Sequence, residues 1–341
     1  SAQISDLLHR EGFQFESVIL PGTEPVPMRD KLFASAVGLF LAVFEPTFFL
    51  SRPRLRDFFL MGRAYFKSNS LIRENPRGQV LLWEATWPFM YPSIRRFLRA
   101  NWKVVGLPHN VEALESGTAG SAGQSIRQWA EIRILRKLTA VFAISREDRW
   151  FYECQGIPSS VLCYWPAKSA ERELEAVAQN RNFSSKNLIL VTGSSTNSHT
   201  RKGLIELIES LTSNCASLPA VVVSRGGQVL PKSTNVRVVS DATAIEMSSF
   251  MTQASFCIVS QPFGTGMLTR ITDAFVAGIP VYASEGAARG HFSDSDELAG
   301  VMECARSLGE LKRVSVASPR YTTQRKDFLE FMRDLNTLVD R

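Results

Sequence analysis

The chain has 341 residues, enough for two domains at about 100–200 residues each. With 45% hydrophobic, 21% charged and 10% aromatic residues, it is unlike a disordered, collagen-like or coiled-coil chain and fits an enzyme-sized α/β protein. A net charge of +6 is too weak for a dedicated nucleic-acid binder, so no nucleic-acid partner is expected.

That charge is unevenly placed. Residues 1–165 hold 20 Lys and Arg against 15 Asp and Glu, and residues 52–103 alone hold 11 against 3. Arg95, Arg96 and Arg99 lie in this stretch. It reads either as a solvated basic face or as a surface for anionic lipid or a phosphorylated acceptor. Five cysteines without a C-x-x-C pair suggest reduced thiols in the cytoplasm and neither a disulfide framework nor a metal site. Asp294-Ser-Asp296 resembles a metal-binding D-x-D but reads better as a helix cap. No signal peptide is visible in SAQISDLLHREG, because charges stand where an apolar stretch belongs.

In chain order, 1–12 reads as a helix on Ile4, Leu7 and Leu8, and FESVIL (15–20) as a strand. An open sheet would place a strand ahead of that helix, so the first strand of the N-terminal domain is expected to be missing. Helices follow over 28–50 and 55–74. The first contains the uncharged run Leu32–Phe44 of 13 residues, shorter than the ~20 needed to span a bilayer and therefore a core or interfacial helix. Strands at 79–83, 103–107, 140–144 and 160–164 then alternate with helices at 92–100, 125–137 and 146–154. Residues 166–187 are polar and read as a linker. A second alternation has strands at 187–191, 220–224, 236–239, 256–260 and 280–283, with helices at 202–212, 244–253 and 267–277. The end of the chain, 322–341, reads as an amphipathic helix with Phe328, Phe331, Leu335 and Leu338 on one stripe. The pattern predicts an α/β protein of two doubly wound parallel-sheet domains, 1–165 and 166–320, facing a cleft. The C-terminal helix (321–341) would pack back on the first domain.

In such sheets ligands bind after the carboxyl ends of strands. Following 187–191 comes Gly193-Ser194-Ser-Thr-Asn-Ser-His-Thr-Arg201-Lys202-Gly203. This small-residue loop enters a helix, where unpaired N–H groups and two cations suit a phosphate, although it does not meet the P-loop pattern. Following 256–260 comes Gly264-Thr265-Gly266-Met-Leu-Thr-Arg270-Ile-Thr-Asp273, where the glycines allow close approach of a ligand. Arg270 and Asp273 share a helical face, and their spacing serves either a phosphate and a diol or a local ion pair.

GTGMLTRITDAFVAGIPVYAS resembles the donor-binding signature of GT-B glycosyltransferases, in particular the retaining family 4 group, G-x-G-x-x-x-K-x-x-E-A-x-x-x-G-x-P-V-V-A-T. Asp stands for the acid of that signature and Arg for its Lys. VTGSSTNSHTRKGL is similar to the same group's G-R-x-x-x-x-K-G loop, with Ser194 where Arg is common. VGLPHNVEAL, AVFAISREDRWFY and ASEGAARG resemble further segments, so the likeness covers about residues 80–320.

The resemblance implies a sugar-nucleotide-dependent transferase acting with retention, on a saccharide or lipid-linked acceptor held by the N-terminal domain. By the same resemblance His109, Lys202 and Arg270 carry the catalysis. Gly193, Ser194, Arg201, Lys202, Gly264, Thr265, Gly266, Arg270 and Asp273 bind the donor, Asp273 through the nucleotide ribose. Arg95, Arg96 and Arg99 would meet the acceptor or the inner face of a membrane. No metal or other cofactor is expected. A sugar-nucleotide epimerase or hydrolase of the same fold, or a silent donor-binding subunit of a transferase, are the rival readings.

Overall fold

A computed structural model of the chain describes residues 2–10, 12–16, 27–45, 48, 54–76, 79–84, 87–111, 122–181, 188–214, 219–261, 267–291, 302–304 and 326–339. These form two compact units, Leu8–Cys163 with Gln324–Arg341 and Tyr164–Thr323 with Ser1–Leu7.

The chain opens with α1 (Ala2–Arg10), and the N-terminal unit continues with helices α2 (Met28–Val43) and α3 (Leu55–Glu74). The spacing of small residues explains how α2 and α3 meet. A Cβ at Gly38 would lie 1.8 Å from the carbonyl oxygen of Phe58, and one at Gly62 would lie 1.9 Å from that of Ala34. The two backbones therefore touch, antiparallel, along a seam that only glycine permits. Then come β1 (Val80–Glu84), α4 (Tyr91–Arg99), β2 (Lys103–Leu107), α5 (Ala122–Leu135), β3 (Ala140–Ala143), α6 (Arg146–Cys154) and β4 (Ser160–Val161). The four strands are parallel and lie in chain order. The described strands of this sheet thus lack the reversal that defines a doubly wound sheet. Of the strand expected at 15–20, Phe15 and Glu16 are irregular, and the remainder lies outside the described residues.

The core of this unit joins Met61, Ala64, Ile94, Phe97, Val104 and Ile134. The last helix of the chain, α12 (Lys326–Val339), buries Phe331 and Leu335 and sets the Phe331 ring edge-on to Phe142 at 4.9 Å. Lys103 Nζ donates to the Leu338 carbonyl near its end.

The C-terminal unit runs through α7 (Lys168–Asn180), β5 (Leu188–Ser194), α8 (Ser198–Asn214), β6 (Ala220–Arg225), β7 (Val236–Ser240), α9 (Ala244–Gln253), β8 (Ala254–Val259), α10 (Thr269–Val276), β9 (Val281–Ala283), α11 (Glu285–Ala288) and β10 (Met302–Cys304). The six-stranded sheet has the order β10-β9-β8-β5-β6-β7, with every strand pair parallel. The chain starts in the middle, builds outward, returns past its first strand and builds the other way, as a dinucleotide-binding sheet does. Both faces are covered. Ile189 and Val191 join Leu204, Ile208 and Val222 on one side, while Leu190 joins Cys257, Ile271 and Phe275 on the other. The strands therefore read as continuous apolar runs.

Two expectations need correction here. Residues 166–187 are not a simple linker, because α7 occupies most of the segment. Its Ala, Glu and Arg residues favour a helix, and Leu174 and Val177 pack it onto the core. The backbone N–H of Lys168 at its start donates to the Asp6 carboxylate. The helix expected at 202–212 begins four residues earlier, at Ser198.

Candidate functional site

In the C-terminal sheet the order reverses between β5 and β8, and the ends of these neighbouring strands are where a parallel sheet offers a ligand site. Gly264, Thr265 and Gly266, expected beyond β8, lie outside the described residues.

Gly193 and Ser194 are the last two residues of β5. Ser194 Oγ lies 2.6 Å from Thr196 Oγ1. Ser195 is buried and tied to the β6 end, its N–H donating to Ser224 Oγ at 3.0 Å and its hydroxyl to the Arg225 carbonyl at 3.0 Å. Asn197 caps α8, accepting from Thr200 N at 3.1 Å. Because the helix starts at Ser198, Arg201 and Lys202 stand in its opening turns rather than in a loop. Arg201 Nε reaches back to the Ser195 carbonyl at 2.6 Å, fixing the turn, and Lys202 lies 3.9 Å from the Glu206 carboxylate, both exposed. With Ser198 and Ile205, Arg201, Lys202 and Glu206 line a shallow depression. Gly203 faces the β8 end so closely that a Cβ would lie 2.5 Å from the Ser260 carbonyl oxygen. That contact brings the two strand-end loops together.

Gln261 joins them chemically. Its side-chain oxygen accepts from Thr200 Oγ1 at 3.0 Å and from Arg270 Nη2 at 3.4 Å. Its backbone is clamped to Ser284 Oγ, at 3.0 Å in both directions. Arg270 lies on the first turn of α10 and extends beside Gly193, where a Cβ would sit 3.1 Å from Arg270 Nη1. Burial pushes the Arg270 pKa down to about 10. Its Nε is shielded from water with no hydrogen-bond partner, and among the described residues no carboxylate pairs with it. An unmatched cation of this kind is costly unless an anion joins it.

Asp273, one turn on, is not paired with Arg270. Its Oδ1 accepts from the Tyr164 hydroxyl at 3.2 Å, and burial raises its pKa from 3.8 to about 6, with the Tyr164 hydrogen bond opposing part of the rise. Burial and the Asp273 charge push the Tyr164 hydroxyl up in turn. His291, 4% exposed, sits 3.1 Å from the Leu268 carbonyl, and burial lowers its pKa to about 4. It is a neutral structural group bracing the entry to α10. Gln261, Thr200, Ser284 and Tyr164 escape sequence reasoning: Thr200 and Ser284 stand within the motif segments, and Gln261 and Tyr164 outside them, as uncharged polar residues that carry no signal of their own.

In the N-terminal unit His109 follows Pro108 just after β2 and is exposed. Although its surface is exposed, partial desolvation of the ring lowers its pKa from the usual 6.5. The next residue is held from below, since the buried Tyr152 hydroxyl lies 3.2 Å from both the Asn110 carbonyl and Glu131. The Ser-x-x-Asp of AVFAISREDRWFY is a cap, with Ser145 Oγ accepting from Asp148 N at 3.1 Å. Of the three arginines read as a patch, Arg95 is paired with Glu45. Arg96 donates to Tyr65 Oη at 3.1 Å and lies over its ring, and Arg99 alone is exposed. Among the described residues no helix is long and apolar enough to cross a membrane.

No protein-family model matches the sequence, and no curated protein does. Solved structures do match. HepE of Anabaena in complex with UDP-glucose is similar at a TM-score of 0.52 and 12% identity over 72% of this chain and 69% of that one. The α,α-trehalose 6-phosphate synthase of Burkholderia multivorans gives 0.54 and 11% over 81% and 71%. Sucrose-phosphate synthase of Thermosynechococcus elongatus gives 0.50 and 16% over 75% and 67%. At these identities the likeness shows the fold, which is the GT-B fold of two parallel-sheet α/β units.

Proposed function

We propose that the protein is a glycosyltransferase that moves a sugar from a nucleoside-diphosphate sugar to a saccharide or lipid-linked acceptor in the cytoplasm. The observation that carries this reading is Arg270, a half-buried guanidinium whose shielded Nε has no partner, beside the end of β5 at the switch point of a dinucleotide-type sheet. Such a group wants an anion, and the diphosphate of a nucleotide sugar supplies one. HepE, of the same fold, takes UDP and UDP-glucose, which makes that ligand class the first to try.

Breaking the bond between sugar and diphosphate builds negative charge on the leaving oxygen. Arg270, with the cations Arg201 and Lys202 at the start of α8, would stabilise that charge through groups fixed before the reaction begins. By the motif resemblance Gly264, Thr265 and Gly266 would also bind the donor, and Gly193 with Ser194 would border the diphosphate. Asp273, as a carboxylate, would accept from the ribose hydroxyls, and His109 would contact the donor sugar. Retention, with the acceptor attacking from the side the diphosphate leaves, follows the motif resemblance. No metal is invoked. The cytoplasmic setting rests on thiols such as Cys154 and Cys257, which form no disulfide.

The test is incubation with a panel of sugar nucleotides and acceptors, reading products by mass spectrometry and binding by calorimetry. Transfer to an acceptor is the expected result. Donor turnover without any acceptor would favour a hydrolase or epimerase. Binding without turnover would favour a silent subunit, and no nucleotide binding at all would overturn the whole reading.

A further inference from the structure

Between Lys31 and Glu45 helix α2 has no charged residue, and a helix apolar all round is normally covered all round. Here only the small residues Ala34, Gly38 and Ala42 are buried, against α3. On the outer side Leu32, Phe33, Leu39, Phe40, Val43 and Phe44 are each between 52% and 65% exposed. Phe33 stacks on Phe66 of α3 at 5.4 Å, which carries the apolar surface across both helices. Such a contiguous patch marks an interaction surface.

Charge identifies its occupant. With Gly38 against Phe58 and Gly62 against Ala34, Lys67 falls near the start of α2, beside Arg29 and Lys31, while Arg54 and Arg56 fall near its end. All five cations are exposed. The neighbouring acids are Asp30, exposed, Glu45, buried and paired with Arg95, and Asp57, whose carboxylate accepts from the Arg54 backbone N–H at 2.7 Å. We propose that the outer face of α2 docks on an anionic lipid bilayer, the helix lying in the headgroup boundary with its aromatic and aliphatic side chains inserted and the flanking cations on the headgroups. The 16 residues of α2 extend about 24 Å, short of the ~30 Å hydrocarbon core, so the helix lies on the membrane rather than across it. A two-fold contact with a second copy would bring these cations against their own duplicates, which disfavours the dimer as occupant.

The inference stands apart from the transferase reading, because its test uses no nucleotide. The full chain is sedimented with vesicles of phosphatidylcholine alone or mixed with phosphatidylglycerol. Binding to the anionic vesicles, weakened by salt, is expected. The double substitution Phe33→Glu, Phe40→Glu should lower partitioning more than about tenfold, and Lys31→Glu with Lys67→Glu should lower it on anionic vesicles. Leu329→Glu, at an apolar residue of α12 that is 59% exposed, should leave it unchanged. Thermal melting checks that the variants fold, and Val43→Glu serves as a second outer-face variant. Absence of vesicle binding, or binding indifferent to the outer-face variants, would overturn the proposal. So would a dimer that the Phe33 and Phe40 changes dissolve while vesicles are ignored, which would assign the face to a second copy.

Discussion

The Tyr164 hydroxyl donates to Asp273 Oδ1 at 3.2 Å, in a setting where burial holds the Asp273 pKa near 6. Proton linkage follows from the sign of that shift. The folded value lies above the ordinary 3.8, so the folded state favours the protonated acid. Its contribution to stability is complete below about pH 4 and is lost as pH rises through about 6. Under the proposed function donor binding would have the opposite dependence, because ribose hydroxyls would need the Asp273 carboxylate as acceptor. Affinity for a sugar nucleotide should therefore fall below pH 6, by up to tenfold per unit, and Asp273→Asn should flatten the profile. Tyr164→Phe removes a hydrogen bond that lowers the pKa, so the inflection should move to higher pH. Calorimetric titrations between pH 5 and 8 read all three, and a profile that Asp273→Asn leaves unaltered would remove Asp273 from the site.

Arg270 should behave as a group kept for a ligand. Replacing it by Met removes a cation whose Nε has no partner, so the folded chain should melt at the same temperature or higher. Donor affinity should fall about 10–100-fold, the value of a charge-assisted hydrogen bond of roughly 1.5–3 kcal/mol. Thermal melting and calorimetry on the same variant separate the outcomes. A variant that melts lower and still binds donor would mark Arg270 as structural.

Much of this organisation is legible in the sequence. The strand at 103–107 and the helices at 55–74, 146–154 and 244–253 match the expected bounds, because apolar strand runs and helix periodicity are local signals. The switch point is also foreseeable, since small residues and cations follow the strands read at 187–191 and 256–260, although the cations Arg201, Lys202 and Arg270 fall in the first turns of α8 and α10. Helix starts are less legible. Asn197 caps α8 from within a run of Ser, Thr and Asn, any of which could serve, and the choice depends on Ser195 being held by the β6 end. The role of Gln261 is invisible for the same reason, as it joins Thr200, Arg270 and Ser284 across long sequence separations. The exposed side of α2 is the clearest limit. Apolar content says that a helix is to be covered, and only the three-dimensional seam with α3 shows which side is not.

Lys202 and His109 should separate in kinetics. Lys202 is exposed and pairs with Glu206 at 3.9 Å, so its contact with a diphosphate would remain partly hydrated. Lys202→Ala should weaken donor binding by only a few fold, about 1 kcal/mol or less, with loss in high salt smaller for the variant than for the parent. Under the proposed role of His109 in catalysis, His109→Ala should leave donor affinity within about threefold and lower turnover by about 10²-fold or more. Equal effects of the two variants on affinity and turnover would sink this division of roles.

The same seam that leaves α2 apolar on its outside makes the hairpin intolerant of a single methyl group. Ala ordinarily stabilises a helix relative to Gly by about 1 kcal/mol. At Gly38, however, the new Cβ would stand 1.8 Å from the Phe58 carbonyl oxygen, and at Gly62 1.9 Å from that of Ala34. Backbone cannot yield as a flexible side chain does, so the helices must separate, and each substitution should destabilise by about 1–3 kcal/mol in urea unfolding. Because both glycines hold one interface, the double variant should cost less than the two single losses combined, since helices parted by the first methyl have room for the second. A Gly38→Ala chain as stable as the parent would show that α2 and α3 do not meet backbone to backbone.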